Sequence, residues 1–223
     1  NRRDGKVYDL YEKAAMGSAP DRALLVSDVS KYATDLSRNG RWAVYESWST
    51  SSNGDIWILD VDQPARRCRE LGPAATDRQA RLSANGRWLP YLTNPDGTPE
   101  IYVTDVQRAF EQAAALTAPG ECAASTGVRV SPAGGAQPAW RGNSEELFYV
   151  APDRQLMAVP IGQQPSLHPG APVPLFRAAI WDPDGSSQTY VPAVDGQTFL
   201  ILTPTRTTDA TTVVLNWTRM LER

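Results

Sequence analysis

The chain has 223 residues, with 22 basic and 25 acidic side chains and a formal net charge of −3. That balance argues against a dedicated nucleic-acid binder, which carries a basic surplus, and a hydrophobic content of 41% argues against a disordered chain. The single histidine, His168, excludes a multi-histidine metal site, and aliphatic stretches such as Ala23-Leu24-Leu25-Val26 fall far short of the roughly 20 residues that span a bilayer.

From the N-terminus onward, the chain alternates short β-branched and aromatic runs with polar turns. Residues 6–11 and 22–26 read as the outer strands of a repeat whose inner half does not precede them. Leu36-Ser37-Arg38-Asn39-Gly40-Arg41-Trp42-Ala43-Val44-Tyr45 then recurs 46 residues later as Leu82-Ser83-Ala84-Asn85-Gly86-Arg87-Trp88-Leu89-Pro90-Tyr91. A third copy runs from Trp140 to Tyr149 with Ser144 in the glycine position, and a weaker fourth from Pro192 to Ile201. The Asn-Gly or Asp-Gly turn supplies the positive φ that a tight hairpin needs. A second apolar strand follows each copy, at 55–60, 100–105, 155–159 and 212–217, and outer strands follow at 66–71, 128–130 and 173–176.

Four strands recurring every roughly 45 to 55 residues are the pattern of a propeller blade. The expected fold is all-β, an incomplete β-propeller of four-stranded antiparallel blades, about four and a half of them. The expected divisions of this single segment are a half blade at 1–30, blades at 31–75, 76–130 and 131–178, and a last blade at 179–223. Opening in mid-blade predicts further blades or another domain upstream; the competing arrangement has the half blade completing the last one and closing a small ring.

Several segments depart from the repeat. Arg108 to Leu116, inside a long insert at 107–127, reads either as a helical turn or two or as an extended loop. Pro90 within a strand predicts a bulge or irregular pairing. Nothing in the spacing of Cys68 and Cys122 sets a bridge between them, and two unpaired, partly buried thiols are the expectation. Arg66-Arg67-Cys68-Arg69 reads as a solvated edge that discourages strand pairing, with a phosphate or acidic-partner patch as the sharper alternative.

On the motif S-x-[DN]-G-R-W-x-x-Y at Ser37–Tyr45 and Ser83–Tyr91, the sequence resembles the WD-repeat-like, TolB-type β-propeller. More narrowly, it is similar to the propeller at the C-terminal end of bacterial serine/threonine protein kinases of the acidobacterial type. Tyr8-Asp9-Leu10-Tyr11, Lys31-Tyr32-Ala33-Thr34-Asp35 and Gly135-Ala136-Gln137-Pro138-Ala139-Trp140 carry that similarity. The resemblance implies an effector domain upstream and a propeller on the periplasmic or extracellular side of a membrane-anchored protein. The kinase signatures themselves are not in this sequence: it holds no Gly-rich phosphate loop, H-R-D or D-F-G.

Catalytic patterns are equally sparse. There is no G-x-S-x-G, His168 sits in a Pro-rich loop without a paired nucleophile and acid, and Asn94–Thr98 and Asp182–Ser186 read as turns rather than calcium loops. No catalytic residue, metal site or cofactor is expected. The innermost strands place Tyr32, Asp35, Gln79, Arg81, Gln137 and Tyr190 near the axis, either lining a polar channel or hydrogen-bonding neighbouring blades. Trp48 and Trp181 fall in loops and are exposed recognition candidates. The expected function is a non-catalytic recognition or sensory module with a protein or peptide partner and no nucleic acid. The alternatives are a hydrolase or lyase site at the channel mouth and a TolB-like periplasmic interaction component.

Overall fold

The Ser-x-Asn-Gly-Arg-Trp turn builds each hairpin from its own polar groups. The Ser37 hydroxyl accepts from Trp42 N (2.8 Å) and Asn39 Oδ1 accepts from Arg41 N (3.2 Å), while Gly40 at φ +74° closes the turn onto Ser37 O. Ser83, Asn85, Gly86 and Trp88 repeat the arrangement, with Trp88 N to the Ser83 hydroxyl at 2.9 Å. The arginine then folds back on the next strand, Arg41 on Asp60 (3.1 Å) and Arg87 on Asp105 (2.8 Å). In the third copy Ser144 adopts φ +60°, a conformation that costs a residue with a Cβ about 1 kcal/mol or more. Its hydroxyl is used, accepting Ala84 N of the preceding blade at 2.7 Å.

The computed structural model describes residues 2–3, 7–17, 19–49, 54–69, 76–122, 127–163, 166–179, 188–204 and 211–212. A β-propeller of antiparallel sheets emerges from these hairpins. The first full blade runs Ser30–Leu36, Trp42–Trp48, Asp55–Asp60, Arg67–Arg69 from the inside outward. The second has Trp88–Thr93, Glu100–Asp105 and Val128–Arg129. The third has Ala136–Trp140, Glu146–Val150, Gln155–Gly162 and Val173–Arg177, and the fourth begins with Tyr190–Pro192 against Phe199–Ile201. Beyond Thr212 the expected strand at 212–217 lies outside the described residues.

Pro90 explains why the second blade has no regular innermost strand among the described residues. Leu92 exchanges both backbone bonds with Arg78, but two residues earlier Pro90 has no N–H to give on that same edge. Among the described residues the inner segment keeps that bridge, a 3.2 Å bond from Arg81 N to Pro90 O and the hairpin-closing bond from Ser83 N to Trp88 O at 2.8 Å.

Apolar seams between successive sheets hold the blades together. Leu10 meets Tyr45 and Leu59 between the half blade and the first blade; Val44, Ile58 and Leu89 lie between the first and second. Leu92, Val103 and Leu147 fill the next seam, and Phe148, Leu156 and Tyr190 the last. Fully burying one such side chain contributes roughly 1.5–3 kcal/mol. The half blade is also pinned by a buried ion pair, Lys31 Nζ to Asp9 Oδ1 at 3.0 Å.

The insert after the second blade's Glu100–Asp105 strand corrects two expectations. It forms a helix, Gln107–Ala115, whose Phe110 stacks on Trp42 of the first blade at 4.9 Å. The chain then adds Gly120–Glu121 as a parallel strand on Arg67–Arg69. The arginine run is therefore a covered edge, not a solvated one, and Arg69 pairs with Glu121 and with Asp55 (3.4 Å). That strand brings Cys122 to Cys68, and the two form a disulfide with Cα atoms 5.3 Å apart, not the unpaired thiols expected.

Candidate functional site

The inner strand Ser30–Leu36 pairs Tyr32 with Glu46 and Ser30 with Trp48, so Tyr32, Glu46 and Trp48 share one face of the first blade. A register shift between Ala33 and Asp35 inserts Thr34, whose hydroxyl donates to Val44 O at 3.1 Å. A cavity of about 440 Å³ opens against this face. Tyr32, Ala33, Thr34, Glu46 and Trp48 line it from the first blade, Gln79 and Arg81 from the second, and Gln188 from the segment entering the fourth.

Its wall is aromatic and open to solvent. The Tyr32 ring lies 5.3 Å from that of Tyr8 and 6.4 Å, edge-on, from that of Trp48; Tyr32 is 42% exposed and Tyr8 40%. Glu46 is buried and fully engaged: Oε1 accepts Gln79 N at 2.7 Å and Oε2 accepts Trp48 Nε1 at 3.1 Å. Arg81 reaches across the seam, Nη1 donating to Thr34 O (2.9 Å) and Ala80 O (3.0 Å).

Beneath the cavity, one contact repeats from blade to blade. Gln79, Gln137 and Thr189 each stand four residues before the residue that opens the next hairpin. Gln79 N donates to the Glu46 carboxylate, Gln137 N to Gln79 Oε1 (2.7 Å), and Thr189 N to Gln137 Oε1 (2.8 Å). Both glutamines hold positive φ, 59° and 58°. We expect Gln79→Ala to leave Gln137 N–H buried without an acceptor and to cost about 2 kcal/mol in urea unfolding. An unchanged midpoint would show that the latch carries no weight.

The sequence-derived candidates thus divide. Tyr32, Gln79 and Arg81 meet at the cavity together with Trp48. Asp35 stands at its flank, accepting Leu82 N at 2.7 Å across the seam. Gln137 is wholly buried, and the buried Tyr190 donates its hydroxyl to Gln137 O at 2.8 Å; neither lines the cavity. Burial pushes the Tyr190 phenol well above its ordinary range. Trp181 lies outside the described residues. Glu46 and Gln188 were not singled out from sequence, although an acid facing inward in the apolar run Trp42–Trp48 was a usable signal for the first.

Other features offer less chemistry. His168 is exposed, its Nε2 3.0 Å from the Ser166 hydroxyl. Asn94–Gly97 is a turn closed by Gly97 N to Asn94 O at 3.1 Å. Among the described residues no cluster of three potential metal ligands occurs, and no helix is long and apolar enough to cross a membrane.

Neither a family model nor a curated protein sequence matches the chain. Among solved structures it is similar to TolB from Acinetobacter baumannii, with 14% identity and a TM-score of 0.56 over 87% of this chain and 42% of that one. It is also similar to a protein provisionally named 6-phosphogluconolactonase from Bacteroides fragilis, with 9% identity and a TM-score of 0.51 over 96% of this chain and 67% of that one. The chain spans less than half the length of that TolB. Likeness at these identities shows the fold alone, and propellers host unrelated activities.

Proposed function

We propose that the chain is a non-catalytic recognition module of TolB-type propeller architecture that binds a protein or peptide at the cavity on its inner side. The observation that carries this is the convergence of three blades on a peptide-sized recess with an exposed aromatic wall. Tyrosine, tryptophan and arginine are the side chains that most often dominate binding energy. Both oxygens of the carboxylate lining the recess are committed to hydrogen bonds, which favours recognition over general-base chemistry. A hydrolase or lyase at the same mouth is the alternative, and the fold likeness to the protein named for lactonase activity is its support.

The proposal extends to placement at the C-terminal end of a bacterial serine/threonine kinase, outside the membrane. The buried Cys68–Cys122 bridge supports that side, because structural disulfides persist in oxidising compartments. DNA sequence upstream of Asn1 tests it, and should encode a membrane span and a kinase domain. For the module itself, the purified chain used as bait should recover a protein partner. Tyr32→Ala and Arg81→Ala should each weaken capture about tenfold; capture indifferent to both substitutions rejects the cavity as the site.

A further inference from the structure

Of the two charged side chains that line the cavity, Glu46 has both oxygens hydrogen-bonded, whereas Arg81 has donors to spare, and those donors specify what the cavity would hold. Among the described residues Arg81 supplies the cavity's only guanidinium, and Nη1 alone is occupied, by two backbone carbonyls. Nε and Nη2 make no hydrogen bond, and no carboxylate lies within ion-pair distance of Arg81 among the described residues. Those two nitrogens form the side edge of the guanidinium fork, the edge that takes a carboxylate with two parallel N–H···O bonds.

The nearby carboxylates make no ion pair with Arg81, their oxygens being taken by neutral donors. Glu46 spends one oxygen on Gln79 N and the other on the Trp48 indole. Asp35 spends Oδ2 on Leu82 N and Oδ1 on Leu36 N. A second cation stands behind the wall, since the Arg78 guanidinium lies 5.7 Å from the Trp48 ring centre. Arg81 is therefore held by neutral carbonyls with its binding edge unspent, beside apolar ring surface from Tyr32 and Trp48.

We infer that the cavity binds a carboxylate carried next to an aromatic or large apolar side chain of a peptide. Arg81 takes the carboxylate side-on through Nε and Nη2, and the neighbouring side chain lies against Tyr32 and Trp48. The carboxylate can come from a peptide C-terminus or from an Asp or Glu side chain; the chemistry at Arg81 is the same. This inference rests on the recognition reading above and narrows it to a ligand class. Charge-assisted bidentate bonds are roughly twice as strong as neutral ones, so the free acid should be strongly preferred over its amide.

Three N-acetylated probes separate the cases by calorimetric titration into the full chain: Gly-Ser-Leu-Phe with a free carboxylate, the same peptide as its C-terminal amide, and Gly-Asp-Phe-Gly amide. At least one acid-bearing probe should bind tenfold or more tightly than the Gly-Ser-Leu-Phe amide. Preference for the first probe assigns the C-terminal source, and preference for the third assigns the side-chain source. Arg81→Gln should erase the acid-over-amide preference, and Tyr32→Ala should weaken all probes alike. Circular dichroism and melting of both variants establish that the fold is retained. Equal affinity for acid and amide, or a preference that survives Arg81→Gln, overturns the carboxylate inference while Tyr32-dependent binding keeps the recognition site. Absence of binding by every probe, or binding indifferent to both substitutions, overturns the two together.

Discussion

Replacing Cys68 and Cys122 together by alanine should lower the stability of the chain by about 4 kcal/mol, the entropy of the closed loop that the bridge removes from the unfolded state. The bridged residues are 54 apart in sequence, long enough for that term to be large. Both are buried in the seam between the first and second blades, packed with Ala109, Phe110 and Ala113 of the inserted helix. Without the bridge, the insert keeps the short parallel strand Gly120–Glu121, the Arg69–Glu121 pair, the Phe110–Trp42 stack and the packing of its helix in the seam. For a chain of this size the loss corresponds to a fall in melting temperature of roughly 10 °C. Urea unfolding with and without reductant should show the same displacement as the double variant. Coincident curves, or two titratable thiols in the denatured non-reduced protein, would falsify the bridge.

The contrast between what the sequence foretold and what it concealed follows the range of each interaction. The hairpin motif was readable because Ser37, Asn39, Gly40 and Trp42 satisfy one another within six residues, and Ser83 to Trp88 do the same. Strands 55–60 and 100–105 appear at the expected bounds, since their β-branched and aromatic runs end at polar turns. Pro90 announced its own irregularity through its missing N–H. The disulfide was hidden because no local pattern says that an insert from one blade will reach back to the previous blade and pair in parallel.

The inner-side residues show the same limit. Gln79 and Gln137 stand at equivalent places, three residues before the repeat copies that open at Leu82 and Trp140, but the sequence does not tell which way each side chain turns. Each accepts a backbone N–H from the following blade, a contact 58 residues away for Gln79 and 52 for Gln137. Gln79 still borders the cavity, whereas Gln137 is closed over by Thr189, Tyr190 and Gln188. One polar repeat position thus serves as latch and lining in one blade, and as latch alone in the next.

Asp77→Asn should stabilise the chain by roughly 2–3 kcal/mol above neutral pH and leave it unchanged near pH 4. Asp77 sits in the seam between the first two blades, 4% exposed, its N–H donated to Gly54 O at 3.1 Å. Its Oδ1, the Thr93 hydroxyl and Arg78 Nε are all buried without a hydrogen-bond partner of good geometry. Burial pushes the Asp77 carboxyl from 3.8 up to about 6; the Asp55 carboxylate adds to the rise, while Thr93 and Arg69 oppose it. A carboxyl raised in the folded state keeps a proton that the unfolded chain has already released between about pH 4 and pH 6. The folded state then binds more protons, so this group's contribution falls as pH rises through that window and is fully lost above it. Asparagine removes the ionisation and nearly preserves the volume. Urea midpoints of the two proteins at pH 4, 6 and 8 should therefore coincide at the first and separate progressively, with the variant more stable. A gap that does not change with pH, or a variant less stable at pH 8, would mean that Asp77 is ionised and adequately solvated in the folded chain.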